Sequence, residues 1–186
     1  LAGGVAGGRA VQAVLLGGAS GHFIDAGNLD LPLTFEDTRA AGATLGSGAV
    51  VVFDETADMD DILRRIAEFF RHESCGQCVP CRVGTQRQVE LLPALPAPAA
   101  SATFGELSAA MKDASICGLG QTASSAIESA MRLGLIQGPA KGGEGIVSEP
   151  IWLRLPPAPT TVPVPPAPAA PPPAAAAIAR RSGEAP

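Results

Sequence analysis

The placement of four cysteines constrains this 186-residue chain more than any other feature. Three stand in one run, Cys75-Gly76-Gln77-Cys78-Val79-Pro80-Cys81, and the fourth, Cys117, lies well downstream in Ser115-Ile116-Cys117-Gly118-Leu119-Gly120. A fold that uses the thiols as one set must bring a loop and a distant turn together. A cubane iron–sulfur cluster has four iron corners, each taking one thiolate, and one loop can supply three of them if its backbone wraps a face of the cube. Two-residue gaps between successive cysteines permit that wrap. Gly76 turns without a side-chain clash, and Pro80 fixes φ before the third thiol while removing an N–H that would need a partner. Two other readings of the spacing stay open. Zinc is held by four cysteines in many structural sites, usually through two CxxC knuckles, and the second knuckle is missing here. Disulfides or bare thiols are the remaining reading, although CxxCxxC leaves the middle thiol within reach of both neighbours and defines no unique pairing.

The flanking residues are more specific than the spacing. Glu73-Ser74-Cys75-Gly76-Gln77-Cys78-Val79-Pro80-Cys81-Arg82-Val83-Gly84-Thr85 and Ser115-Ile116-Cys117-Gly118-Leu119-Gly120-Gln121-Thr122-Ala123 resemble the C-terminal iron–sulfur domain of a flavoprotein family. That family includes the 51 kDa subunit of NADH:quinone oxidoreductase, the diaphorase subunits of NAD-reducing hydrogenases and the β subunits of NAD-dependent formate dehydrogenases. The wording GQCVPCRVG and ICGLGQTA is most similar to the formate dehydrogenase β type, and the resemblance runs over roughly residues 10 to 137. It implies a [4Fe-4S] cluster ligated by Cys75, Cys78, Cys81 and Cys117, close to an FMN, with electrons passing singly between flavin and a chain of clusters. It further implies that FMN and NAD are held by an N-terminal glycine-rich domain, which nothing here matches. With Leu1 rather than Met at its start, the chain is expected to be a fragment that is not catalytic alone. The implied partners are other subunits of a multisubunit oxidoreductase: a small [2Fe-2S] subunit and a catalytic or cluster-carrying subunit.

An anionic cluster buried in protein needs donors and cations around it. Backbone N–H groups near Gly76, Gly118 and Gly120, with the Arg82 guanidinium, are the candidates; they would stabilise the reduced state and raise the potential. A solvated helix-face Arg82 is the plainer alternative. His72 reads as a solvent-facing residue at a helix end, Glu73 and Ser74 as helix-terminating residues, and His22 has no partner suggested by spacing.

The organisation fits an α+β fold. A partial β-grasp (ubiquitin-like) segment over residues 1–55 precedes a small four-helix bundle carrying the cluster over 56–138, and a linker with a disordered Pro/Ala-rich tail occupies 139–186. The β-grasp assignment comes from the resemblance, and a truncated chain would then expose an unpaired sheet edge. Residues 10–16 read as a strand stopped by Gly17-Gly18, and Ala49-Val50-Val51-Val52-Phe53 as a buried β-branched strand. Thr34 to Ala41 is a short helix opened by Thr34 with Asp37 three residues on. Gly46-x-Gly48 lacks a third glycine and precedes a strand, so it reads as a tight turn rather than a dinucleotide loop. A first long helix starts at Asp58 with an apolar stripe of Met59, Ile62, Leu63, Ile66, Phe69 and Phe70. Further helices are expected from Arg82 to Leu92, from Phe104 to Ala114 after an Ala/Pro loop over 94–102, and from Thr122 to Leu135.

Composition closes off several functions. A net charge of -5 without a Lys/Arg cluster excludes nucleic acid as a partner, because phosphate binding needs local positive charge. There is no apolar run of membrane-spanning length and no charged-then-apolar leader pattern, so membrane contact would come through partner subunits. Cysteines better suited to metal than to disulfides fit a reducing compartment, hence the cytoplasm. With no tyrosine and two histidines, no hydrolytic constellation is readable.

Overall fold

Around one strand that is buried on both faces, the computed structural model builds a small α+β domain, describing residues 5–138. The linker and Pro/Ala tail expected over 139–186 lie outside the described residues. Strand β1 (Val11–Leu16) is central, flanked antiparallel by β2 (His22–Asp25) and β3 (Val50–Asp54) in the order β2-β1-β3. Its register sets Leu15 opposite both Phe23 and Val51, and Val14 opposite Ile24 and Val52, with a bulge between Val11 and Ala13. Because strand side chains alternate, Ala13 and Leu15 join Phe23 in the main core, while Val14 and Leu16 meet Ile24 and Ala43 on the other face. The turn after β1 is pinned to the turn before β3. Gly17 N donates to Ala49 O at 2.9 Å, and a Cβ on Gly46 would stand 2.9 Å from Gly17 Cα, with both glycines at positive φ. This is the tight turn expected at Gly46-Ser47-Gly48.

Helix α1 (Phe35–Ala40) is opened by Thr34, whose Oγ1 accepts from Asp37 N at 3.1 Å and donates to Asp37 Oδ2 at 2.6 Å. Helix α2 (Met59–Glu73) is capped by Asp58, whose carboxylate accepts from Asp61 N at 3.0 Å. Met59, Leu63, Ile66, Ala67 and Phe70 bury one stripe, and Arg64 and Arg65 pair with Asp61 and Glu68 on the wet side. Then follow α3 (Val79–Leu91), α4 (Pro98–Ala114), α5 (Gly118–Thr122) and α6 (Ser125–Arg132). Phe70, Phe104, Met111 and Ile127 fill the space between them. The sheet is joined to α6 by apolar packing and by one buried hydrogen bond, in which Phe23 N donates to Ser129 Oγ at 2.8 Å. No helix among the described residues is long and apolar enough to cross a membrane.

Several expectations are corrected. The valine strand is not buried: Val50, Val51 and Val52 are 50%, 40% and 42% exposed, because β3 pairs only with β1 among the described residues. A β-branched run specifies a strand but not its place in the sheet. Phe69 leaves the stripe and lies exposed, edge-on to Phe70 at 5.3 Å between ring centroids. Helix α4 starts at Pro98, since proline is favoured in the first helical turn and the following alanines favour helix. Helix α3 starts at Val79, so Cys81 is already helical. The final helix is two pieces broken around Ala123–Ser124, and Thr122 spends its hydroxyl on Gly118 O at 2.8 Å rather than on a cap. Strand β2 was not expected at all; its four residues are too few for a period-two pattern to stand out.

Candidate metal centre

The two cysteine segments meet at one end of the helical part. Ser74 terminates α2, Cys75 to Cys78 form the connection, and Cys78 is the residue at which α3 begins, its φ and ψ still extended. Pro80 occupies the first turn, where no N–H is required, and carries the chain into Cys81. Cys117 stands just before α5, reached from α4 through Ser115 and Ile116. All four thiols are free. Cys81 is buried, Cys78 half-buried, and Cys75 and Cys117 are exposed.

Electrostatics show how closely the segments approach. The Cys78 thiol is held below its usual value first by the backbone N–H of Ile116, then by that of Cys81, with the Ser115 hydroxyl adding to both. An amide from the second motif therefore serves a sulfur of the first. Cys81 is pushed up, chiefly by burial; the Ser74 hydroxyl opposes the shift, while Cys78, Cys117 and Cys75 each add to it. The other three sulfurs thus lie within electrostatic reach of Cys81. Among the described residues no three His, Cys, Asp or Glu side chains are drawn tightly enough together to hold a single metal ion.

Gly120 makes the approach possible. A Cβ built there would stand 2.7 Å from Ser115 Cβ and 2.8 Å from Cys81 Cβ, and closer still to Ser115 Oγ. Gly76 sits at φ +76° with Arg82 Cδ 3.8 Å from where its Cβ would be, so the Arg82 stem passes beside the loop while the residue stays exposed on α3. Gly118 faces open space. His72 is exposed near the end of α2, and half-buried His22 lies on β2, with Arg132, Glu128 and Lys112 as the charges that act on it. Two residues at the centre were not singled out from the sequence for this role. Ser74 Oγ stands 3.3 Å from Cys81 Sγ, and the buried Ser115 Oγ lacks a partner in good geometry while lying beside Cys78. The available signal was a small hydroxyl residue one or two positions before a cysteine in each motif.

The two cysteine segments thus meet at one end of the helices, and comparison with known proteins shows what such segments are similar to. Residues 61–133 match the family described as the NADH-ubiquinone oxidoreductase-F iron-sulfur binding region. The chain is 47% identical over 91 residues to an F-type subunit of NADH-quinone oxidoreductase in Rhizobium meliloti, covering 49% of this chain and 22% of that protein. It is 35% identical over 135 residues to the NADP-reducing hydrogenase subunit HndC of Solidesulfovibrio fructosivorans, covering 70% of this chain and 28% of that one. Among solved structures, the NAD+-reducing [NiFe]-hydrogenase in its H2-reduced state aligns with a TM-score of 0.60 at 32% identity, over 72% of this chain and 24% of that one. Residues 61–133 therefore carry this iron–sulfur binding region, and the chain is similar over that stretch to F-type NADH-quinone oxidoreductase subunits and to a hydrogenase subunit. It spans 22% and 28% of the two curated relatives named.

Proposed function

We propose that Cys75, Cys78, Cys81 and Cys117 hold a [4Fe-4S] cluster and that the domain is an electron-transfer module of an NAD-linked, FMN-containing oxidoreductase of the formate dehydrogenase β-subunit type. The observation that carries this reading is the convergence of the four thiols from two distant segments, with the Ile116 amide of one segment turned to the Cys78 sulfur of the other. The donor set fits the group. A tetrahedral zinc draws its sulfurs to about 2.3 Å from one point, whereas a cluster takes each thiolate at a separate iron and suits a wider ring. Cys78, Cys117 and Cys75 all lie near enough to Cys81 to act on its charge. The orphaned hydroxyl of Ser115 also finds use beside a thiolate, which accepts but cannot donate.

When bound, the cluster supplies one-electron exchange, and two-electron hydride chemistry belongs to FMN and NAD in the part of such a protein that this chain does not match. The chain's own residues do the rest. The cysteines bind, the Ile116 and Cys81 amides favour Cys78 as a thiolate, and Gly120 leaves room for Cys81 and Ser115 to approach. Gly76, Gly118 and Gly120 keep the surrounding backbone close, and Arg82 offers positive charge beside the loop. The wording GQCVPCRVG and ICGLGQTA supports the formate dehydrogenase type. In this reading the sheet is the later half of a β-grasp and the helices are a four-helix bundle presenting the cluster. The partners are then other subunits of a cytoplasmic oxidoreductase, including a [2Fe-2S] subunit and a catalytic or cluster-carrying one.

Anaerobic reconstitution of the full chain with iron and sulfide tests the assignment. About four irons and four sulfides per chain, with a spin-half EPR signal after dithionite reduction, is the expected result. Cys117→Ser should abolish or alter that signal and lower iron content. Zinc uptake with no paramagnetic species would overturn the electron-transfer reading in favour of a zinc-stabilised structural module, and an unchanged signal in Cys117→Ser would remove that residue from the ligand set.

A further inference from the structure

The four thiols do not have equal surroundings. Cys75 and Cys117 are exposed, whereas Cys81 is buried and Cys78 half-buried, and each of these two has its own serine. Ser74 Oγ lies 3.3 Å from Cys81 Sγ. Ser115, only 6% exposed, has no hydrogen-bond partner for its hydroxyl among the described residues, packs with Cys81 Cβ around Gly120, and lowers the pKa of the Cys78 thiol. A buried hydroxyl left without a partner costs free energy, so the Ser115 environment is incomplete until an acceptor of suitable reach is present. A metal-bound cysteine is such an acceptor. Between a hydroxyl and a thiol either atom can donate, but a thiolate has no proton, so ligation forces the serine O–H to be the donor.

We infer that Ser74 and Ser115 are positioning residues that donate hydrogen bonds to the Cys81 and Cys78 thiolates and thereby raise the reduction potential of the bound cluster. The inference rests on the ligand assignment proposed above. Its physical basis is that a donor aimed at a ligand sulfur stabilises the state with more negative charge, which is the reduced one. The two serines come from different segments, Ser74 from the end of α2 and Ser115 from the end of α4. Both donors therefore act on the better-buried pair of sulfurs, where water competes least and each donor counts most.

The test is a redox titration of reconstituted wild-type, Ser115→Ala, Ser74→Ala and Ser74→Thr chains, followed by EPR, with iron and sulfide measured on each. Alanine fits both sites, since it only removes an oxygen, and Ser115→Ala relieves rather than adds to the crowding at Gly120. Both alanine variants are expected to keep full iron and sulfide and to titrate at a lower potential. Ser74→Thr, which keeps the hydroxyl, should restore the wild-type value. ENDOR on the reduced protein after exchange into D2O should show exchangeable couplings in the wild type that weaken in each alanine variant. Full cluster content with unchanged potentials and unchanged couplings in both alanine variants would overturn the inference while leaving the ligand assignment intact. Failure of the wild-type chain to take up a cluster would instead overturn the assignment itself. If Ser115→Ala alone fails to load, Ser74→Ala and its threonine rescue still decide the matter.

Discussion

The helical end and the sheet end of this domain are built to different standards of closure. Phe70, Phe104, Met111, Ala126 and Ile127 are at most 1% exposed, so the helices bury their side chains as a finished core does. On the sheet, β1 is sealed on both faces while the neighbouring valines of β3 stay half in water. The thiols sit at the helical end, where the core is most completely buried. The proposed ligands are thus placed on the more fully packed part of the molecule, and the sheet packs against α6.

Substitutions can break or sharpen this contrast. The largest effect is expected from Phe104→Ala, which empties a fully enclosed space and should destabilise the domain by about 3–5 kcal/mol in a denaturant titration. A cost similar to that of a surface change would mean the helical core is no tighter than the sheet. Gly120→Ala comes next. Its new methyl meets Ser115 and the Cβ of Cys81, so about 1–3 kcal/mol of stability should be lost together with iron retention after reconstitution. Normal retention would show that the second cysteine segment yields more than its packing suggests.

His22 probes the joint between the two ends. Its protonation is disfavoured first by burial, then by Arg132, with Lys112 adding to them and Glu128 opposing. A histidine whose folded value lies below the ordinary 6.5 binds more protons in the unfolded chain. Stability is therefore whole above that value, falls as the pH drops beneath it, and levels off below the folded value. His22→Gln should flatten this slope between pH 7 and the acid limb, seen as melting temperature against pH; an unchanged slope would place the acid sensitivity in the carboxylates. Smallest of all, Val51→Thr on the half-exposed edge should change stability by no more than about 0.5 kcal/mol. A loss approaching that of Phe104→Ala would mean that this edge is covered in solution.

Much of the centre could be read before any coordinates. Cys75, Cys78, Cys81 and Cys117 stand out because they are the chain's only cysteines and because their neighbours repeat a family wording. The cap residues Thr34 and Asp58 were legible too, since capping is local chemistry acting over three residues. What escaped depended on distance in the chain. The exposure of β3 is decided by whether another strand lies beyond it, and nothing in Val50-Val51-Val52 records that. Phe69 and Phe70 are chemically alike, and only the helix's rotation against its neighbours chooses which one is buried. The serines beside Cys78 and Cys81 acquire a role only once two segments meet, so a reading along one segment sees in Ser74 a helix end and in Ser115 a turn.

The hydrogen bond from Phe23 to Ser129 spans 106 positions of sequence and ties β2 to the last described helix. A chain made from its N-terminus forward completes the three strands long before it makes their support. Until Ser129 and the apolar face of α6 have left the ribosome, Phe23 lacks the support it has in the folded domain. The Phe23 face of the nascent sheet is therefore a stretch in need of shielding during synthesis, and the arrival of α6 is the step that covers it.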